Sequence, residues 1–268
     1  MPFVQRGASR LYYEVTGEGP PIVLSHGVGG NHASWFPQIA ALADRYRLLT
    51  WDHRGFGLST DVEALGRAGF VDDLAAVLDA ARIERPILVG QSMGGGTSLA
   101  FACTHPTRVA GLVMADSLSQ AVLPTEAARR LRTQAAATAG LTQIERVLGA
   151  TVQRERPDAA ILYGQIAGFN ATTLHTLHGQ LPSFSAEQLT ATGLPSLFVV
   201  GQEDILFPPW AVRAFQRDVP MSRFVELART GHSAFFERPD AFNAVVQAWL
   251  SDIGYAPAIE ATGGSMDD

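Results

Sequence analysis

The stretch Ile87-Leu88-Val89-Gly90-Gln91-Ser92-Met93-Gly94-Gly95-Gly96 decides how this chain is read. A short apolar run enters Gly-x-Ser-x-Gly, and small residues then lead into a helical pattern. In that context a serine can be held on a sharp strand-to-helix turn as a nucleophile. The turn brings backbone against backbone, so a side chain at Gly90 or Gly94 would collide. Two readings stand at this point, a nucleophile at Ser92 or a glycine-rich connection with an incidental serine. The choice depends on whether a base, an acid and an oxyanion site occur elsewhere in workable order.

Outward from this stretch, apolar and β-branched runs predict strands at 11–16, 21–25, 46–51, 109–114, 195–201 and 223–227. Helical spacing falls between them, at 32–44, at 67–83, after Ser92, from Pro208-Pro209 onward and at 239–253. Strands alternating with helices imply a mostly parallel sheet covered by helices on both faces. Ligands of such sheets bind beyond the carboxyl ends of the strands. From 118 to 192 the rhythm breaks into successive helical segments. Thr142-Gln143-Ile144-Glu145 and Ser185-Ala186-Glu187-Gln188 match the capping box, and Pro157 suits a helix first turn. A connection of this length is long for a crossover and is read as a helical cap over the site.

The 268 residues are 47% hydrophobic and 17% charged, which fits a folded globular chain. The formal charge of −6 gives no electrostatic reason to expect nucleic acid or an anionic membrane as partner. A small-molecule substrate is expected instead. All 20 basic residues are arginine, so no Schiff-base lysine or Walker-type phosphate loop exists in the chain. The single cysteine, Cys103, lies among Leu99, Ala100, Phe101 and Ala102 and reads as a packing residue. No secretory leader is recognisable at the N-terminus and no run is long enough to span a bilayer, so a cytoplasmic setting is expected.

A serine hydroxyl is a weak nucleophile and needs an imidazole base oriented by a carboxylate. Two strand ends downstream of Ser92 supply candidates, Gly201-Gln202-Glu203-Asp204 and Thr230-Gly231-His232-Ser233. Ser92, Asp204 and His232 therefore follow one another in the order nucleophile, acid, base. Asp116 and Glu203 compete for the acid. His26, His32, His53, His105, His175 and His178 compete for the base. His175 and His178, three residues apart without a nearby carboxylate motif, are a weak metal signal, and neither a metal nor a cofactor is expected.

Taken with His26-Gly27 and Asp52-His53-Arg54-Gly55-Phe56-Gly57-Leu58-Ser59, these motifs resemble the α/β-hydrolase fold family, specifically its capped serine esterase and lactonase-like members. The resemblance covers about 10–253. It implies an eight-stranded, mostly parallel sheet with a core formed by 1–117 and 193–254, a cap at 118–192 inserted after the sixth strand, and a flexible tail at 255–268. It also implies oxyanion donors at the backbone N–H groups of Val28 and Met93, and a structural role for the Asp52–Ser59 loop, with Arg54 tying loops together. The expected reaction is hydrolysis of a small or medium uncharged carboxylic ester or lactone through an acyl-enzyme. Family alternatives are a C–C bond hydrolase of a β-diketone or dienone, a cofactor-free perhydrolase and a slow-turnover ligand receptor. The C–C hydrolases usually carry tryptophan after the catalytic histidine, where this chain has Ser233.

Overall fold

Side chains alternate across an extended strand, and here both faces of the sheet are apolar, as a sheet covered on both sides requires. Val23, Leu49, Leu88, Met114 and Phe198 pack to one face, and Ile22, Leu24, Leu48, Val89 and Val199 pack to the other. The computed structural model describes residues 2–255. Of the expected tail, Tyr255 donates its hydroxyl hydrogen to Pro21 O at 2.8 Å, and the rest lies outside the described residues.

Eight strands form one sheet: β1 (Phe3–Arg6), β2 (Ser9–Thr16), β3 (Pro21–Ser25), β4 (Arg47–Trp51), β5 (Ile87–Gln91), β6 (Gly111–Ala115), β7 (Ser196–Gly201) and β8 (Ser222–Leu227). Their order is β1-β2-β4-β3-β5-β6-β7-β8. The pairs β1–β2 and β2–β4 are antiparallel, and every other pair is parallel. Strand β1 is absent from the sequence reading because four residues are too short a run for alternation to register. Strand β6 begins later than expected, since Pro106–Arg108 forms a 3₁₀ turn and Val109 N–H bonds back to Pro106 O.

Helices α1 (Phe36–Leu42), α2 (Phe70–Ala81) and α3 (Met93–Thr104) connect β3 to β4, β4 to β5 and β5 to β6. Five more, α4 (Thr125–Ala137), α5 (Gln143–Val147), α6 (Ala150–Glu155), α7 (Pro157–Ala167) and α8 (Ala186–Ala191), lie between β6 and β7. Helices α9 (Pro209–Gln216), α10 (Ala234–Glu237) and α11 (Pro239–Asp252) complete the chain. Helices α2, α3 and α9 cover one face with Leu74, Val77, Phe101 and Phe215, while α1 and α11 cover the other with Leu42, Phe242, Val246 and Trp249. Both capping boxes form, at Thr142 and Ser185, and Pro157 opens α7. The two ends of the inserted segment meet at a single bridge between Ala121 and Phe184. Among the described residues no helix is long and apolar enough to cross a membrane.

The loop after β4 is pinned by charge. Arg54 is buried and donates Nε to Asp73 Oδ2 and Nη2 to Asp73 Oδ1, both at 2.6 Å, and Nη1 to Asp61 Oδ1 at 3.1 Å. This two-pronged pairing joins the loop to α2 and keeps the guanidinium charged in a dry setting. Removing one partner leaves an uncompensated buried charge, which is strongly destabilising. Arg54→Ala is expected to lower unfolding free energy by about 3–5 kcal/mol in a urea titration. A loss below about 1 kcal/mol, the size typical of an exposed pair, would contradict this account.

Candidate active site

Ser92 sits between β5 and α3 with φ 50° and ψ −115°, a region an L-residue seldom occupies. Such a conformation costs on the order of 1–3 kcal/mol and persists only where the surroundings enforce it. Here the enforcement is steric. A Cβ at Gly90 would collide with Gly94 O, and one at Gly94 with Ser25 O, so strand and helix approach closely only through glycine. Ser92 N–H donates to Ala115 O at 3.1 Å, and Ser92 O accepts from Ser117 Oγ at 2.6 Å. These bonds fix the backbone while the side chain opens on a cavity of about 980 Å³.

His232 opens on the same cavity, carried by the loop after β8. Its Nδ1 lies 2.9 Å from Asp204 Oδ2. Asp204 Oδ1 accepts from the backbone N–H groups of Leu206 at 2.8 Å and Phe207 at 2.9 Å, so the carboxylate is held on both oxygens. With Asp204 accepting, Nδ1 carries the hydrogen and Nε2 keeps its lone pair. The Gln91 side chain donates to His232 O at 2.7 Å, anchoring the histidine loop to the residue before Ser92. Among the described residues no hydrogen bond joins Ser92 Oγ to His232 Nε2.

Burial works against the imidazolium of His232, but the Asp204 carboxylate overrides it, with Asp116 and Glu237 adding to the effect. The net result holds His232 above the ordinary histidine range. His26 and His53 behave in the opposite way. Burial lowers both, most strongly at His53, where neighbouring His26 adds to the effect. His26 Nδ1 lies 2.7 Å from Gly27 O, and its Nε2 accepts from His53 N–H at 3.1 Å. His53 Nε2 reaches Thr97 Oγ1 at 3.0 Å. The two rings are neutral packing and hydrogen-bonding groups.

Of the other competing histidines, three have partners away from Ser92. His32 pairs with Asp52 at 2.9 Å, His178 Nε2 contacts Ala64 O at 2.7 Å and the His105 ring stands 4.9 Å from Phe101. His175 lines the cavity. Glu203 accepts from Thr151 N–H at 2.8 Å and from the Thr151 hydroxyl, so it points to the inserted segment and away from His232. Asp116 is wholly buried and accepts from Gly201 N–H and Ala234 N–H, each at 2.8 Å. It therefore acts as a clamp between the end of β7 and the start of α10, just after the histidine loop. Among the described residues no cluster of three or more His, Cys, Asp or Glu side chains could hold a metal ion. Cys103 is half-buried against the core, and burial pushes its thiol up to about 11.

Val28 and Met93 both line the cavity beside Ser92, and their side chains pack in one small cluster with Phe56 and Phe70. Among the described residues neither backbone N–H is taken by a protein acceptor. Two groups of residues went unnoticed in the sequence. Glu237, buried at the end of α10, accepts from Gly149 N–H at 3.0 Å, Gly231 N–H at 2.9 Å and Ser233 N–H at 3.1 Å. Its only sequence signal is a carboxylate in the apolar run Ala234-Phe235-Phe236-Glu237. Arg67, Arg132 and Arg146 line the cavity wall.

The charge balance at His232 can be measured directly. Its ring protons, followed by NMR, are expected to titrate with a midpoint above 6.5, and those of His53 well below it. Asp204→Asn removes the largest opposing carboxylate, so the His232 midpoint moves down. An unchanged midpoint in that variant would overturn the assignment.

Known proteins resemble the chain over nearly its whole length. A family model described as the alpha/beta hydrolase fold matches residues 20–239. A protein of Azorhizobium caulinodans named as the carbamate hydrolase RutD is 28% identical, with 94% of this chain and 99% of that one covered. A pimeloyl-[acyl-carrier protein] methyl ester esterase of Aeromonas hydrophila is 30% identical, with 87% and 96% covered. A thermophilic esterase from Thermogutta terrifontis, solved with malate bound, superposes with a TM-score of 0.78 at 27% identity, with 94% of this chain and 99% of that one covered. A family model spanning most of the chain, on top of this sheet order and this strand-to-helix turn, places the protein in the α/β-hydrolase fold family.

Proposed function

We propose that the protein is a serine hydrolase that cleaves a carboxylic ester or lactone through an acyl-enzyme. Ser92 is the nucleophile, His232 the base, Asp204 the orienting acid, and the N–H groups of Val28 and Met93 form the oxyanion site. The observation that carries this reading is the pairing of His232 Nδ1 with a fully held Asp204 while Ser92 and His232 line one cavity. Residues 118–192 act as the cap, since α4, α5 and α7 line that cavity opposite Ser92. The names of the esterase relatives agree with the bond type.

The chemistry follows from the groups. His232 Nε2 takes the Ser92 hydroxyl proton as Oγ bonds to the substrate carbonyl carbon. Negative charge moves to the carbonyl oxygen, where the two N–H groups stabilise it without reorganising, a contribution of about 3 kcal/mol per donor. The tetrahedral species collapses by breaking the carbon–oxygen bond, and the imidazolium returns its proton to the leaving alkoxide. Water then attacks the acyl carbon, losing a proton to His232. The carboxylic acid departs as that proton returns to Ser92 Oγ.

Ser92→Ala is expected to lower kcat on a p-nitrophenyl ester by at least about a thousandfold, and Asp204→Asn by about ten-thousandfold, with the fold retained by circular dichroism. Turnover near wild type in Ser92→Ala would refute the nucleophile. Because the base must be neutral and its pKa is raised, kcat/KM should climb with pH along a limb centred above 6.5. A limb centred below 6.5 would exclude His232 as the base.

A further inference from the structure

An uncharged ester or lactone is the expectation from sequence. The cavity wall argues otherwise. The chain carries 26 acidic residues and a formal charge of −6, yet among the described residues no aspartate or glutamate lines the cavity. Three arginines do, from separate elements: Arg67 ahead of α2, Arg132 on α4 and Arg146 on α5.

These arginines lack the partners that structural arginines in the same protein possess. Arg54 is bound by two carboxylates, whereas among the described residues Arg67, Arg132 and Arg146 make no ion pair. Arg67 donates Nη1 to Leu177 O at 3.2 Å, and burial lowers its pKa with no carboxylate offsetting it. Arg146 Nε is buried and has no hydrogen-bond partner. A buried donor left unpaired is costly, and among the described residues Arg146 carries such an atom on the wall of this cavity. Arg132 shares its helix face with Ala128, Leu131 and Ala135, all on the cavity wall, so α4 presents an apolar surface with one cation. Arg146 follows Gln143 by three residues on α5, and Gln143 crowds Gly29, next to Val28. Arginine forks match planar oxyanions in two-pronged geometry, and a cavity lined by one sign of charge attracts the opposite sign.

We propose that the substrate carries a carboxylate remote from the scissile carbonyl, and that this arginine wall binds it, with Arg146 as the principal contact. This rests on the hydrolase reading above and names its substrate class, a monoester of a dicarboxylic acid or a lactone of a hydroxy-dicarboxylic acid. Hydrolysis then releases a dicarboxylate, and the reaction supplying the substrate is one that esterifies or cyclises such an acid at one end.

The test compares 4-nitrophenyl butyrate with the mono-4-nitrophenyl ester of glutaric acid, in wild type, Arg146→Gln, Arg146→Lys and Arg132→Gln. Wild type is expected to favour the anionic ester in kcat/KM by about tenfold or more, and Arg146→Gln to reduce that preference about 10–100-fold, the size of a charge-assisted hydrogen bond. Arg146→Lys, which keeps the charge without the fork, retains part of it. Raising salt from 0.05 to 0.5 M narrows the preference by screening. The neutral ester reports folded enzyme in every variant, so equal losses on both esters, or no wild-type preference, overturn the proposal. Hydrolysis of both esters that survives Ser92→Ala refutes the nucleophile assignment instead. In that event calorimetric titration of wild type and Arg146→Gln with glutarate decides the proposal alone. Binding by wild type that weakens in the variant supports the arginine site, and no binding by wild type overturns it.

Discussion

The backbone at Ser92 is the constraint on which the rest of the structure depends. A serine at positive φ between a buried strand and a buried helix is held only because Gly90 and Gly94 let β5 and α3 close on each other and on β3. That closeness fixes where the helix begins, which N–H groups stay unpaired at its start, and how near β6 and its Asp116 can lie. The neighbouring strand ends then arrive in register: Gly90 lies opposite Ser25 on one side and Met114 on the other, and β7 and β8 end together at Gly201 and Leu227. Ser92, Asp204 and His232 all hang from this row of strand ends.

Much of that row was legible in the sequence. Glycine spacing around Ser92 reports a local steric demand, and Asp204 follows a continuous apolar run and His232 the short β-rich stretch Arg223-Phe224-Val225-Glu226-Leu227, so their position at strand ends needs only the strand reading. The helices at Thr142, Pro157 and Ser185 are marked by local capping chemistry. What the sequence could not convey is pairing at a distance. Glu237 finds its donors on residues 149, 231 and 233, and the first of these lies on a separate segment of the chain. The three cavity arginines are ordinary solvent-facing residues until 67, 132 and 146 are folded around one void. Strand β1 was lost for a simpler reason, since four residues on an edge carry no periodicity.

Electrostatics divides the molecule into two regimes. Around Arg54, opposite charges meet at hydrogen-bond distance in a dry interior and hold a loop. Around His232, three buried carboxylates surround one imidazole, each of them satisfied by backbone N–H groups as well. Those N–H groups favour the charged form without adding a competing cation, while burial pushes Asp116 and Glu237 up. The imidazole is thus the only cationic partner the cluster can acquire from its own members.

The contact between Gly149 and Gly231 has a mechanical consequence. These glycines pass so closely that a Cβ on Gly231 would strike the Gly149 backbone. Glu203, next to Asp204, grips Thr151, and Glu237, five residues after His232, grips Gly149. One turn of the inserted segment is therefore riveted to both loops that carry the imidazole and its carboxylate. A shift of that turn away from the sheet would break bonds to both loops at once. Any movement of this turn therefore carries a cost in the positioning of His232 and Asp204 that movement of α4, which faces the cavity with Ala128, Leu131, Arg132 and Ala135, does not carry through these bonds.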